Sequence, residues 1–195
     1  MWEPLTPGEL QAVYASVDVQ WWVAGGVALD LFVGRETRAH SDIDTAVLRR
    51  DVQGLAPLRA TWDVCTVRDG GLTPWDGGEL SDEHHQFWVR RPGAEAWAFE
   101  ILLEMTDAAD WVYRRDARIR TPVASIGRQT DGSIPYLAPE IFLLYKSFAT
   151  DAKRYAARNT TDFGVALPLL DATERGWLRA ALTVIDDKHP WIPRL

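Results

Sequence analysis

Two aspartates set two residues apart, Asp42 and Asp44 on either side of Ile43, point most directly to chemistry. At the start of a strand, residues i and i+2 project to the same side, so the two carboxylates converge. Converging negative charges repel unless a cation sits between them. Magnesium is the natural cation, because it prefers hard oxygen ligands and pairs carboxylates with substrate phosphates. An isolated Asp-x-Asp is a common tripeptide, and the context makes this one informative. The pair Gly25-Gly26 lies 16 residues earlier, where a strand gives way to a helix. Glycines at such a turn let the backbone approach a phosphate closely, with a helix N-terminus behind it. The basic run Arg35, Arg38 and His40 lies just before the aspartates and suits phosphates as well as it suits a solvated loop.

Phosphoryl chemistry on two metal ions calls for a third carboxylate, to help hold the second ion and to take the nucleophile's proton. Glu100 supplies one within the apolar strand Ala98-Phe99-Glu100-Ile101-Leu102. An unpaired charge there is expensive, so it needs a reason. Glu104 shares its strand face and competes for the role; Glu100 is preferred because it lies deeper in the apolar run.

The elements that must carry these residues follow from the pattern. Thr6-Pro7-Gly8-Glu9 is a capping box opening a helix that reaches about residue 17. Residues 19–24 read as a buried strand, followed by a helix with Val27, Ala28, Leu31 and Phe32 on its face and Gly34 at its end. Residues 43–48 and 62–67 read as strands, with an Asp51-capped helix to about residue 60 between them. Residues 69–82 read as a mobile acidic, glycine-rich loop. Residues 85–90 and 97–103 form a hairpin around Arg91-Pro92-Gly93, and residues 118–125 a further strand. After the turn at Asp131-Gly132 the chain reads as helical: a helix from Pro139 with Ile141, Leu144, Tyr145 and Phe148 on its face, a segment over 162–170, another over 172–185, and an extended tail. The expected fold class is α/β (α+β): a mixed β-sheet flanked by helices over residues 1–130, followed by a C-terminal helical segment over 131–195.

Composition narrows the partners. The chain of 195 residues has no apolar run of the ~20 residues needed to span a bilayer. Its N-terminus shows no signal peptide, and the one cysteine, Cys65, allows no intrachain disulfide. These features favour the cytoplasm and no membrane partner. The net charge of -7 argues against nucleic acid as a partner and is compatible with a cationic small molecule. The acidic residues Asp76, Glu79, Asp82 and Glu83 offer such a molecule a contact, although a solvated, flexible loop is the simpler account of them. The neighbours His84 and His85 read as structural or exposed. Ten tryptophans serve the core or the wall of a pocket for a flat ligand.

The segments Trp22-Val23-Ala24-Gly25-Gly26-Val27-Ala28-Leu29-Asp30 and Gly34-Arg35-Glu36-Thr37-Arg38-Ala39-His40-Ser41-Asp42-Ile43-Asp44 resemble the antibiotic nucleotidyltransferases. These are the aminoglycoside 2''-adenylyltransferases and lincosamide nucleotidyltransferases of the DNA polymerase β-like superfamily. The resemblance is strong over about residues 20–48. It is looser at Tyr136-Leu137-Ala138-Pro139-Glu140, Lys146 and Asp162-Phe163. It implies the nucleotidyltransferase fold and transfer of a nucleoside monophosphate from a nucleoside triphosphate, ATP or another, to a hydroxyl, with release of pyrophosphate. It implies magnesium, two ions, on Asp42 and Asp44, with Glu100 where the family usually has an aspartate. It also implies that Gly25, Gly26, Arg38, His40 and Lys146 bind the nucleotide. The acceptor it implies is a small molecule of the kind of an aminoglycoside-like or lincosamide-like antibiotic. Two alternatives stand beside this: a toxin-like enzyme that modifies tRNA or protein, and a non-catalytic nucleotide-binding module. The sequence marks no oligomeric interface.

Overall fold

The computed structural model describes residues 1–148 and 152–195. Among these, the strands form one mixed sheet of ten. They are β1 (Trp21–Val23), β2 (Asp44–Leu48), β3 (Asp63–Arg68), β4 (Gly71–Pro74), β5 (Gln86–Arg90), β6 (Phe99–Asp107), β7 (Asp110–Val112), β8 (Arg120–Pro122), β9 (Gly127–Gln129) and β10 (Pro135–Leu137). Their order is β4-β3-β5-β6-β2-β1-β10-β9, and β7 and β8 continue as a small antiparallel extension from the far end of β6. The pairs β2–β6 and β1–β10 are parallel and the rest antiparallel.

Alternation along the central strands creates two cores. From β2, Ala46 and Leu48 join Trp22, Ala28, Leu29, Phe142, Phe163 and Leu178 on one side. Val47 joins Leu10, Leu55, Phe87, Phe99 and Ile101 on the other. The first side is covered by α2 (Gly25–Val33), α3 (Pro139–Ser147), α4 (Ala152–Ala166) and α5 (Ala172–Ile185). The second is covered by α1 (Pro7–Tyr14) and a 3-10 helix over Arg49–Ala60.

Local chemistry accounts for the helix ends. Thr6 and Glu9 close the expected capping box, and Asp171 and Glu174 form another at the start of α5. Gly34 ends α2 in the left-handed region at φ 79°. Several expectations need correction. The helix expected from Asp51 begins at Arg49 with no side-chain cap, and Pro57, which lacks an amide donor, lies within its 3-10 path. The expected 69–82 loop contains β4, paired with β3 through Cys65↔Pro74 to Arg68↔Gly71. The expected strand over 118–125 is a three-residue strand followed by a 3-10 turn. The expected tail ends in another 3-10 turn, Ile192–Arg194, with Trp191 buried and stacked on Phe163. No helix among the described residues is long and apolar enough to cross a membrane.

Candidate active site

The parallel pairing of β2 with β6 puts Asp44 directly beside Glu100. The backbone fixes this register, because the Glu100 N–H donates to the Ile43 carbonyl at 3.0 Å and the Ala24 N–H to the Asp44 carbonyl at 2.8 Å. The second bond brings the β1–α2 turn against the start of β2. Gly25 adopts φ 65°, and a Cβ there would lie 1.9 Å from Asp44 Oδ2. Glycine is therefore required twice over at this position, for its backbone and for the space the carboxylate occupies.

Three carboxylates consequently share one region. Burial first, then the Asp42 charge, pushes the Asp44 carboxyl up to about 6, against the pull of Lys146, Arg158 and Arg38. Burial, with Asp44 and Asp42 beside it, pushes Glu100 up to about 8. Glu104 is different. Only 2% exposed, its Oε2 accepts from Trp111 Nε1 at 2.6 Å and from the Tyr145 hydroxyl at 2.7 Å. Its hydrogen bonds are made within the fold, which separates it from the competing role that its position on β6 offered. Among the described residues, no three His, Cys, Asp or Glu side chains are grouped closely enough to hold a metal ion as they stand.

The cations gather across the turn. Asp162 on α4 receives Lys146 Nζ at 2.7 Å and Arg38 Nε at 3.2 Å. Arg38 also reaches His40 Nδ1 at 3.0 Å, and His40 Nε2 meets Asp30 Oδ2 at 2.7 Å. In this arrangement Nδ1 accepts and Nε2–H donates. Thr37 ties down the other oxygen of Asp30 through its amide and hydroxyl. Arg38 and His40 lie over Gly26, where a Cβ would come within 2.6 Å of both. The structure thus brings Gly25, Gly26, Arg38, His40 and Lys146 together, with both ring nitrogens of His40 engaged by protein groups.

A cavity of about 430 Å³ opens beside this cluster, lined by Gly25, Asp44 and Lys146 and also by His85, Arg114, Arg115, Tyr155 and Arg158. Sequence reasoning passed over the last four. Arg114-Arg115 is a visible basic doublet, and Arg158 stands one helical turn before Asp162, yet only the folded chain brings them to Asp44. The doublet is not wholly free for a ligand, because the Arg115 guanidinium donates to the Phe148 and Tyr145 carbonyls. A second cavity, of about 880 Å³, borders Asp42 instead. It is lined by Asp30, Glu36 and Asp131 together with Leu5, Val27, Leu31 and Tyr136. Among the described residues, no tryptophan lines either cavity. The acidic loop spends part of its charge at home, Asp82 near Arg49 at 3.8 Å and Glu83 on Arg68 at 2.6 Å.

Known proteins share this architecture. The crystal structure of ANT(2'')-Ia in complex with adenylyl-2''-tobramycin matches with 15% identity and a TM-score of 0.59, over 92% of this chain and 98% of that one. The lincomycin-bound lincosamide antibiotic adenylyltransferase LnuA matches with 16% identity and a TM-score of 0.51, over 80% and 97%. An antigenic nucleotidyltransferase-like protein from Paracoccidioides brasiliensis matches with 17% identity and a TM-score of 0.52, over 98% and 94%. These likenesses establish the fold. No curated protein sequence matches the chain. Residues 9–57, which hold the glycine pair, the basic run and both aspartates, match the family model described as aminoglycoside-2''-adenylyltransferase. That segment, set in a nucleotidyltransferase fold, makes the chain similar to the antibiotic nucleotidyltransferases over residues 9–57.

Proposed function

We propose that this protein transfers a nucleoside monophosphate from a magnesium-bound nucleoside triphosphate, ATP being the first candidate, to a hydroxyl of a small-molecule antibiotic, with release of pyrophosphate. The observation that carries the reading is the meeting of two sets of charges at one glycine turn. Asp42, Asp44 and Glu100 lie on one side, Lys146 and Arg158 line the cavity that opens beside them, and the charge of Arg38 also reaches Asp44.

The carboxylates offer only hard oxygens, the donor chemistry magnesium takes, and their mutual repulsion is what a divalent ion relieves. Asp42 and Asp44 would hold the ions, with Glu100 completing the set after a small swing of the side chains. When bound, magnesium supplies charge neutralisation at the phosphates and acidifies the acceptor hydroxyl. The chain's own groups do the rest. Gly25 and Gly26 let Asp44, Arg38 and His40 close on the N-terminus of α2, where the phosphates would lie, and Lys146 and Arg158 offset their charge. Burial and the neighbouring carboxylates keep the Glu100 carboxyl protonated near neutrality. A cation bound beside it would favour the carboxylate, the form able to take the acceptor's proton. The hydroxyl oxygen then bonds to the α-phosphorus, and the bond to pyrophosphate breaks in line.

Two findings favour an antibiotic acceptor. One is the segment shared with aminoglycoside-2''-adenylyltransferase. The other is the cavity beside Asp42, where apolar walls meet the carboxylates of Asp42, Glu36 and Asp131 as well as Arg35, a mixed lining that suits a hydroxylated amine. The test is a pyrophosphate-release screen of each nucleoside triphosphate against aminoglycosides, lincosamides and bulk tRNA, with Asp42→Asn as the blank. Release only with an antibiotic and only from the wild-type protein is the expected outcome. Release by Asp42→Asn and Asp44→Asn at the wild-type rate would overturn the mechanism, and release with tRNA alone would overturn the acceptor.

A further inference from the structure

Asp162, on α4, is as deeply buried as Glu104, with 2% of its side chain exposed, but it binds two cations from different parts of the chain. Its Oδ1 accepts from Arg38 Nε at 3.2 Å, and its Oδ2 from Arg38 at 3.3 Å and from Lys146 Nζ at 2.7 Å. One turn earlier, the buried Asn159 donates to the Lys146 carbonyl at 2.8 Å and so fastens α4 to the end of α3. Arg38 continues the chain of contacts to His40 and Asp30 on α2. The Asp162 carboxylate therefore joins the motif loop, α3 and α4 at the point where Gly26 leaves no room for a side chain.

A buried ion pair is weak evidence of a stabilising role, since well-packed apolar residues commonly do as well in its place. This one lies at the rim of a cavity whose wall includes Lys146, Gly25 and Asp44. Two cations on one carboxylate leave the group one positive charge in excess, facing the space beside the glycine turn. Without the carboxylate, the Lys146 ammonium, 10% exposed, would lose its hydrogen-bonded partner and be left among Arg38 and Arg158, with only the charge of Asp44 across the cavity to draw it.

We infer that Asp162 is a positioning residue of the nucleotide site, holding Lys146 and Arg38 side by side next to Gly25-Gly26 so that α4 sets the cations that receive a polyphosphate. The inference rests on the nucleotidyltransferase reading above and adds a residue to it. One misplaced charge at such a site costs about tenfold or more in binding.

The test is calorimetric titration of the full chain with magnesium tripolyphosphate, a probe free of any base preference. The variants are Asp162→Asn, Lys146→Met and the double variant. Asp162→Asn should weaken binding about tenfold in protein that is still folded at the titration temperature, with a lower melting temperature because two buried cations lose their partner. In the Lys146→Met background the same change should have a clearly smaller effect, because Asp162 acts largely through Lys146. A purely structural role would give factors that multiply independently, and that result overturns the inference. So does binding by Asp162→Asn as tight as wild type or tighter. Asp162→Glu keeps the charge and moves it by one methylene, so it serves if the asparagine variant does not fold. A partial loss at unchanged stability is expected there, and no loss overturns the inference. A wild-type protein that binds neither tripolyphosphate nor any nucleoside triphosphate would overturn the nucleotide reading itself. Binding that ignores all these substitutions would overturn only the role of Asp162.

Discussion

Glu100 and Glu104 lie four residues apart on one face of β6, and their surroundings give them different work. Burial raises both carboxyls, yet Glu104 answers with two hydrogen bonds from Trp111 and Tyr145, whereas Glu100 has the charges of Asp44 and Asp42 beside it. Replacing Glu104 by Ala strands a buried indole N–H and a tyrosine hydroxyl, which costs about 2–4 kcal/mol of stability. Glu100→Gln should do the reverse. The folded carboxyl ionises near 8 against an ordinary 4.5, so ionisation costs the fold progressively as pH rises from 4.5 through about 8. The glutamine variant escapes that cost. Denaturation at pH 5 should show similar stability for the two proteins, and at pH 8.5 the variant should be more stable by a few kcal/mol while losing nucleotidyl transfer. Equal stability at both pH values would mean that Glu100 is well solvated.

At the scale of elements, the β1–α2 turn shows how tightly the motif is built. The close approach of Asp44 to Gly25 and of Arg38 and His40 to Gly26 turns each glycine into a geometric requirement. Gly26→Ala should push the flexible heads of Arg38 and His40 aside at a small cost in melting temperature and weaken nucleotide binding about tenfold. Titration with ATP and a thermal melt, run together, check both halves. This turn was legible in the sequence because glycine pair, basic run and Asp-x-Asp are local, and so was Glu100, an acid set in an apolar run. α5 was legible as a helical stretch over 172–185, although its capping box was not read. β4 was not: all four of its residues are exposed, so it carries no alternation, and its glycines read as loop. β10 has three residues, and its parallel neighbour β1 lies more than 110 residues earlier, a pairing no local pattern encodes. The arginines of the cavity were missed for the same reason, since Arg114, Arg115 and Arg158 line one cavity with Asp44 only in the folded chain.

At the scale of the whole molecule, a chain with net charge -7 opens a cavity lined by Lys146, Arg114, Arg115 and Arg158 against carboxylates that repel one another. The arrangement resists its own charge until a ligand arrives, which makes metal binding a function of pH. Asp44 and Glu100 must both lose their protons to serve as ligands, and they do so near 6 and 8. Below pH 6 magnesium competes with protons held by the fold. Above pH 8 it meets a bare carboxylate cluster whose repulsion it relieves. An ion that binds only the folded state raises stability by mass action. Millimolar magnesium should therefore raise the melting temperature by several degrees at pH 8.5 and by about a degree or less at pH 5.5. In Asp44→Asn the difference between the two pH values should largely vanish. Potassium at matched ionic strength separates specific binding from screening, and a magnesium effect of equal size at both pH values would show that these carboxylates do not hold the ion.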